Sequence, residues 1–119
     1  MLRKLLKSKI HRATVTAVDL DYEGSISIDA ELMKAVDLVE NEAVQVWNLA
    51  SGARIETYAI PAEAGSGEVR VNGAAAHLFR PGELVIIAAF AWIEDADWPL
   101  HKARIVLVDE HNRLARETS

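Results

Sequence analysis

Cysteine is absent from all 119 residues. That absence excludes disulfides, thiolate nucleophiles and Cys-ligated zinc together. Long hydrophobic runs are absent too. The longest, Leu84 to Ile93, has ten residues, whereas a membrane-spanning helix takes about 20. It therefore reads as a strand buried on both faces, and no membrane partner is expected. The first residues have no apolar signal-peptide core, and a cytoplasmic location is expected. His77, His101 and His111 show no metal-ligand spacing, so no metal is expected. P-loop, G-x-G-x-x-G and G-x-S-x-G patterns are all missing. Glu94, Asp95 and Asp97 read as a solvated acidic loop rather than an acid/base pair. No acid precedes Asp19, while Arg3, Lys4, Lys7, Lys9 and Arg12 give +5 in a chain of net charge −5. A basic-arm DNA-binding β-barrel is one alternative for that start. A strand with solvated or interface-facing cations is favoured, because an acidic body repels a phosphate backbone, and no nucleic-acid partner is expected.

What is present is one domain's worth of chain, with no linker, repeat or low-complexity segment. Half the residues are hydrophobic, enough for one core. Mean hydropathy is +0.06, slightly apolar for so small a body, so some apolar surface is expected to be covered between subunits. Lys9 to Val18 is rich in β-branched residues and reads as a strand, with Lys9, His11, Ala13 and Val15 on one face and Ile10, Arg12, Thr14 and Thr16 on the other. Asp29 is placed to cap a short helix, Ala30 to Val36, with Leu32, Met33 and Val36 inward. Strands are expected at Ala43 to Leu49, Arg54 to Ile60, Glu68 to Val71 and Ala103 to Val108. Asn72 is placed to start one helical turn, Gly73 to Leu78. RPGE, Arg80 to Glu83, reads as a turn. The polar tail after Asp109 is expected to fray. Short strands with small helical turns predict a mainly β fold, closed as a barrel.

Gly24-Ser25 is the sharpest chemical feature. A serine hydroxyl attacks the preceding carbonyl carbon when a turn presents it, and glycine admits unusual dihedrals and close access. The resulting ester can eliminate to dehydroalanine, whose hydrolysis leaves a pyruvoyl group and ammonia. Taken alone, the dipeptide is far more often an ordinary turn, and a second copy stands at Gly65-Ser66. Arg54 and Tyr58, four apart, share a strand face and offer a carboxylate fork and a proton donor; the plainer alternative is a surface charge and a half-buried aromatic. Thr57 leaves the opposite face, so a site using both residues must straddle a strand end or a subunit boundary. Lys9 and His11 share another strand face. Asn72 to His77, with its small residues, exposes backbone N–H groups suited to an oxyanion, or simply packs closely. Trp47 is a core candidate.

Six stretches, LKSKIHRATVT (Leu6 to Thr16), DYEGS (Asp21 to Ser25), ENEAVQVWN (Glu40 to Asn48), GARIETYAI (Gly52 to Ile60), VNGAAAH (Val71 to His77) and PGELVIIA (Pro81 to Ala88), keep register to about residue 90. In that order they resemble the bacterial pyruvoyl-dependent aspartate 1-decarboxylase family; Trp92 to Lys102 lies outside the resemblance. The resemblance implies a six-stranded double-ψ β-barrel and a homotetramer with sites between subunits. It implies autocatalytic cleavage of a zymogen between Gly24 and Ser25, giving a 1–24 β chain and a 25–119 α chain. The cofactor would be a covalent pyruvoyl group made from Ser25, with no metal and no pyridoxal phosphate. The reaction would decarboxylate L-aspartate through a Schiff base to β-alanine and CO2, supplying pantothenate biosynthesis. Carried over residue by residue, Tyr58 is the proton donor and Thr57 assists cleavage. Lys9, Arg54, Thr57, Asn72, Gly73, Ala74 and Ala75 bind substrate or surround the pyruvoyl group. His11, Tyr22, Trp47, Ile60 and Ile86 line the pocket. An accessory maturation protein is a further candidate partner. An unprocessed structural homologue is the alternative within the same family.

Overall fold

The computed structural model describes residues 1–118. Strand β1 (Leu2–Thr14) and the short β2 (Ala17–Asp19) lead into β3 (Ser25–Asp29) and helix α1 (Ala30–Ala35). Then follow β4 (Ala43–Asn48), β5 (Arg54–Ala62), β6 (Val69–Asn72), a 3₁₀ turn (Gly73–Leu78) and β7 (Leu84–Glu94). A second 3₁₀ turn (Trp98–Leu100), β8 (Arg104–Val108) and β9 (Leu114–Thr118) complete the described residues. The strands join in the order β2-β6-β3-β5-β4-β7-β1-β8-β9. The mainly β class is as expected. Parallel pairing of β3 with β5, β2 with β6 and β1 with β8 interleaves strands distant in sequence, and this brings the loop before β3 against the end of β6.

The core lies along one face of these strands. Ile10, Ile26, Ile28, Val44, Val46, Val69, Val71, Val85 and Ile87 are among its fully buried side chains, and Leu32, Met33 and Val36 close it from α1. Asp29 caps α1 as its sequence position suggests, accepting from the Glu31 N–H at 2.9 Å. The same carboxylate also accepts from Gly65 N at 3.0 Å and Gly67 N at 2.8 Å. The second Gly-Ser pair is thus a turn clamped by Asp29, with positive φ at Gly65 and Gly67, which is where glycine's freedom is used.

Three expectations need correction. Strand β1 does not keep strict alternation: its register against β7 shifts between Ile10 and Ala13, where Arg12 takes φ +63°. This bulge turns Ile10, Ala13 and Val15 inward together and leaves His11 and Arg12 outside the core. The apolar run of β7 is buried only over its first half. Its far half pairs with the start of β1 as a projecting arm, and Trp92 there is 65% exposed. The tail does not fray at Asp109, because β9 pairs antiparallel with β8. Buried Asn112 anchors it, receiving the Thr14 N–H at 2.8 Å and donating to the Thr14 and Gly67 carbonyls at 2.8 Å each. The basic start is partly engaged within the chain: Arg3 meets Asp95 at 2.5 Å and Lys7 meets Glu42 at 3.2 Å.

Candidate active site

Strand register assembles the first group of candidate residues. Ser25, the first residue of β3, stands opposite Asn72 in the antiparallel β3–β6 pair. The parallel β3–β5 register sets Ile26 against Ala59, so Tyr58 is level with Ser25. Tyr58 is half-buried. Thr57, next to it, leaves the opposite face, the one that carries Ile55 and Ala59 into the core. Ser25 is buried to 1% exposure. Its hydroxyl accepts from Asn72 Nδ2 at 3.0 Å and reaches the Glu23 carbonyl at 3.4 Å. Asn72 does start the following 3₁₀ turn, but its side chain makes no cap; the amide points at Ser25 and Ser27 instead. Asn72 Oδ1 is buried without a partner among the described residues. An unpaired buried amide oxygen costs about 1–3 kcal/mol, so its retention at this point calls for a use.

The glycines divide the work differently from the sequence expectation. Gly24 does not take a left-handed conformation, and a Cβ there would meet nothing within 4 Å; open access is what it supplies. The constrained residue is Gly73, at φ +80°. A Cβ on Gly73 would lie 2.7 Å from Gly24 Cα, 2.9 Å from Gly24 N and 3.2 Å from the Tyr22 carbonyl. The loop over residues 22–24 therefore lies directly on Gly73, and any larger residue would lift the Gly24-Ser25 bond off β6. Ala74 is exposed, and Ala75 packs partly against the core. The Tyr22 side chain is 53% exposed.

A second group lies apart on the outward side of the sheet. Arg54 of β5 pairs with Trp47 of β4, and Trp47 with Ile86 of β7. The Arg54 guanidinium carbon sits 4.4 Å from the centre of the Trp47 ring. Such stacking is worth about 0.5–1 kcal/mol at an exposed site and fixes the orientation of the guanidinium. Trp47 Nε1 donates to Gln45 at 3.0 Å. Trp47 is therefore half-buried on the sheet surface and not core. Lys9 pairs with Ala88, which also pairs with Gln45. His11, on the bulge, has Nδ1 buried with no partner among the described residues. Burial, and after it the nearby Lys9 and Arg12 cations, hold its imidazole below the ordinary histidine pKa. Ile60, two residues beyond Tyr58, is half-buried on the Tyr58 face.

The two groups meet different neighbours within the chain, Ser25 and Asn72 on the β3–β6 pair and Arg54, Trp47 and Ile86 across β5, β4 and β7. Four residues separate Arg54 from Tyr58, and at strand rise that is roughly 13 Å along β5. The structure brings Gly24, Ser25, Tyr58, Asn72 and Gly73 together and holds Lys9, His11, Trp47, Arg54 and Ile86 elsewhere. Sequence reasoning passed over Ser27. Its signal was present, since it alternates with Ser25 on a strand otherwise made of isoleucine and aspartate. Among the described residues, no cluster of three His, Asp or Glu side chains is arranged to hold a metal.

The aspartate decarboxylase family profile matches residues 1–115. An aspartate 1-decarboxylase of Myxococcus xanthus is 59% identical over 114 residues, covering 96% of this chain and 88% of the relative. One from Legionella pneumophila strain Lens is 59% identical over 112 residues, covering 94% and 84%. Among solved structures, a rationally designed double-ψ β-barrel protein aligns with a TM-score of 0.49 at 13% identity, covering 65% of this chain and 90% of that one.

Proposed function

The chain belongs to the aspartate decarboxylase family, and from that premise we propose that it cleaves itself between Gly24 and Ser25 and then converts L-aspartate to β-alanine and CO2 with a pyruvoyl group at position 25. The observation that carries this reading is the seat of Ser25: buried, bonded to the Asn72 amide, level with Tyr58 and preceded by a glycine packed on Gly73. The Gly65-Ser66 pair has no such surroundings. Its backbone is committed to Asp29.

The residues present fit a pyruvoyl group. It is short, and Gly73 carries no side chain to push away the loop over residues 22–24 that leads into position 25. The Asn72 amide offers donors beside it and an acceptor, Oδ1, that the chain does not use. When present, such a group supplies a carbonyl for the substrate amine and a sink for the electron pair released with CO2. The remaining work falls to side chains. Arg54, with Lys9, holds carboxylate charge; a charge-assisted fork is worth about 1.5–3 kcal/mol. Ile60 and Ile86 form apolar wall, where a carboxylate facing them is poorly solvated and its loss as neutral CO2 is favoured. The Tyr58 hydroxyl gives the proton to the carbon left behind. Thr57 assists the earlier cleavage. Tyr22, His11 and Trp47 bound the pocket, and the lowered His11 pKa favours a neutral ring there.

The Arg54 level lies roughly 13 Å along β5 from the Ser25 level, and its guanidinium leans onto Trp47 of β4, on the side of β5 away from β3, an arrangement that turns it from Ser25. This supports a site built from two copies, one giving Ser25, Tyr58, Asn72 and Gly73, the other giving Arg54, Trp47, Lys9 and Ile86. A homotetramer with sites between subunits accommodates this. Intact-mass measurement tests the reading: maturation should give fragments of 24 and 95 residues, the larger resistant to N-terminal sequencing because a ketone replaces its amine. A cut at Gly65-Ser66, or a free amine on Ser25, would refute it.

A further inference from the structure

Asn72 Nδ2 donates to two hydroxyls, Ser25 Oγ at 3.0 Å and Ser27 Oγ at 3.1 Å. Both serines are almost fully buried, at 1% and 4% exposure. Alternate residues of β3 face the same way, so the two oxygens stand side by side beneath one amide. The amide nitrogen carries two protons and so serves one to each. Its oxygen has no partner among the described residues, so the two serines alone fix how the amide is turned. Ser27 has no role in the core, which β3 supplies through Ile26 and Ile28. Serine is also a poorer strand residue than the β-branched alternatives. A buried hydroxyl at this position is thus accounted for by its bond to Asn72.

We infer that Ser27 is a positioning residue for self-cleavage, holding the Asn72 amide against the Ser25 hydroxyl beforehand and keeping it at position 25 afterwards. The inference rests on the proposed cleavage at Gly24-Ser25. In that step Ser25 Oγ bonds to the Gly24 carbonyl carbon, the peptide C–N bond breaks, and the hydroxyl proton ends on the freed amine. Elimination then removes the Ser25 α-proton to a base and breaks Cβ–Oγ, so that the oxygen departs in the Gly24 carboxylate. Water enters and ammonia leaves. Asn72 loses one of its two acceptors in this sequence, because Ser25 Oγ leaves with residues 1–24. Ser27 is the acceptor that remains. Without it, one amide proton is buried unpaired from the start and the amide is free to turn away.

The test follows splitting of the full chain by intact mass at timed intervals after cell-free synthesis, with thermal midpoints measured alongside. Ser27→Ala should split about fivefold more slowly, the effect of losing one neutral hydrogen bond from the reacting arrangement. Ser27→Thr and Ser27→Val isolate the hydroxyl, because the two side chains have one shape and both suit a strand. The threonine variant should split at close to the wild-type rate and the valine variant as slowly as alanine. A merely structural serine would give shifted midpoints with unchanged splitting. Equal rates for threonine and valine, or a Ser27→Ala chain that splits like wild type, would overturn the role. A wild-type chain that never splits would instead overturn the cleavage reading beneath it.

Discussion

At the scale of single residues, Arg54 and Tyr58 separate binding from proton transfer. Arg54 is exposed and stacked on Trp47, so removing it disturbs neither core nor cleavage seat. Arg54→Ala should mature normally and lose at least about tenfold in kcat/KM for aspartate, from the lost charge-assisted fork. Wild-type kinetics in fully processed Arg54→Ala would reduce Arg54 to a surface charge. Tyr58→Phe keeps the ring that half-buries beside Ser25 and removes only the hydroxyl. It should mature, retain aspartate binding and lose about 10²–10⁴-fold in kcat. A half-buried tyrosine without chemistry would leave turnover unchanged, and a variant arrested before cleavage would move Tyr58 into the maturation step. Both residues were visible in the sequence as a four-residue spacing on a strand. Their neighbours, Trp47 beside Arg54 and Ser25 level with Tyr58, were not, because spacing fixes a face but not what that face meets.

Among the elements, the strand and turn boundaries were largely legible where local chemistry decides them. Asp29 before an amphipathic stretch, and the RPGE turn, announced themselves. The bulge at Arg12 did not, since arginine is an uncommon residue at φ +63° and nothing local marks it. The β1–β7 and β1–β8 pairings impose it from outside. The C-terminal strand was hidden for a similar reason. Residues after Asp109 look polar, and only the fold shows Asn112 buried at 1% exposure, joining β1 to the Gly67 turn. Asn112→Ala should therefore cost about 2–4 kcal/mol, with three hydrogen bonds lost and their backbone partners left buried. Chemical denaturation in an uncut Ser25→Ala background, where one chain is followed, measures this. Asn112→Gly accepts the positive φ of 58° but restores none of the bonds. Its stability should stay close to that of the alanine variant. Near-recovery with glycine would assign the cost to backbone strain instead.

For the whole molecule, the decisive question is how Arg54 and Ser25, on different neighbours in the sheet, come to serve one centre. The extents of 44 × 27 × 25 Å describe an elongated body, in which Arg54 leans on Trp47 of β4 while the buried Ser25 stands on β3, across β5. If one active centre takes Ser25 and Tyr58 from one copy and Arg54 from the next, two defects in different chains can complement. Ser25→Ala keeps the Arg54 half and cannot form its own pyruvoyl group. Arg54→Ala keeps the Ser25 half and lacks the clamp. Each alone should show little or no turnover. Co-expressed in equal amounts and assembled at random, about a quarter of the centres should pair an intact Ser25 with an intact Arg54 from a neighbour, and turnover should return to that fraction of wild type. A centre contained within one chain predicts no recovery, because every chain in the mixture carries a defect. Mixing the two proteins after assembly supplies the control: activity that appears only on co-expression requires shared assemblies, and turnover that never rises above the sum of the separate variants would return both halves of the site to a single chain.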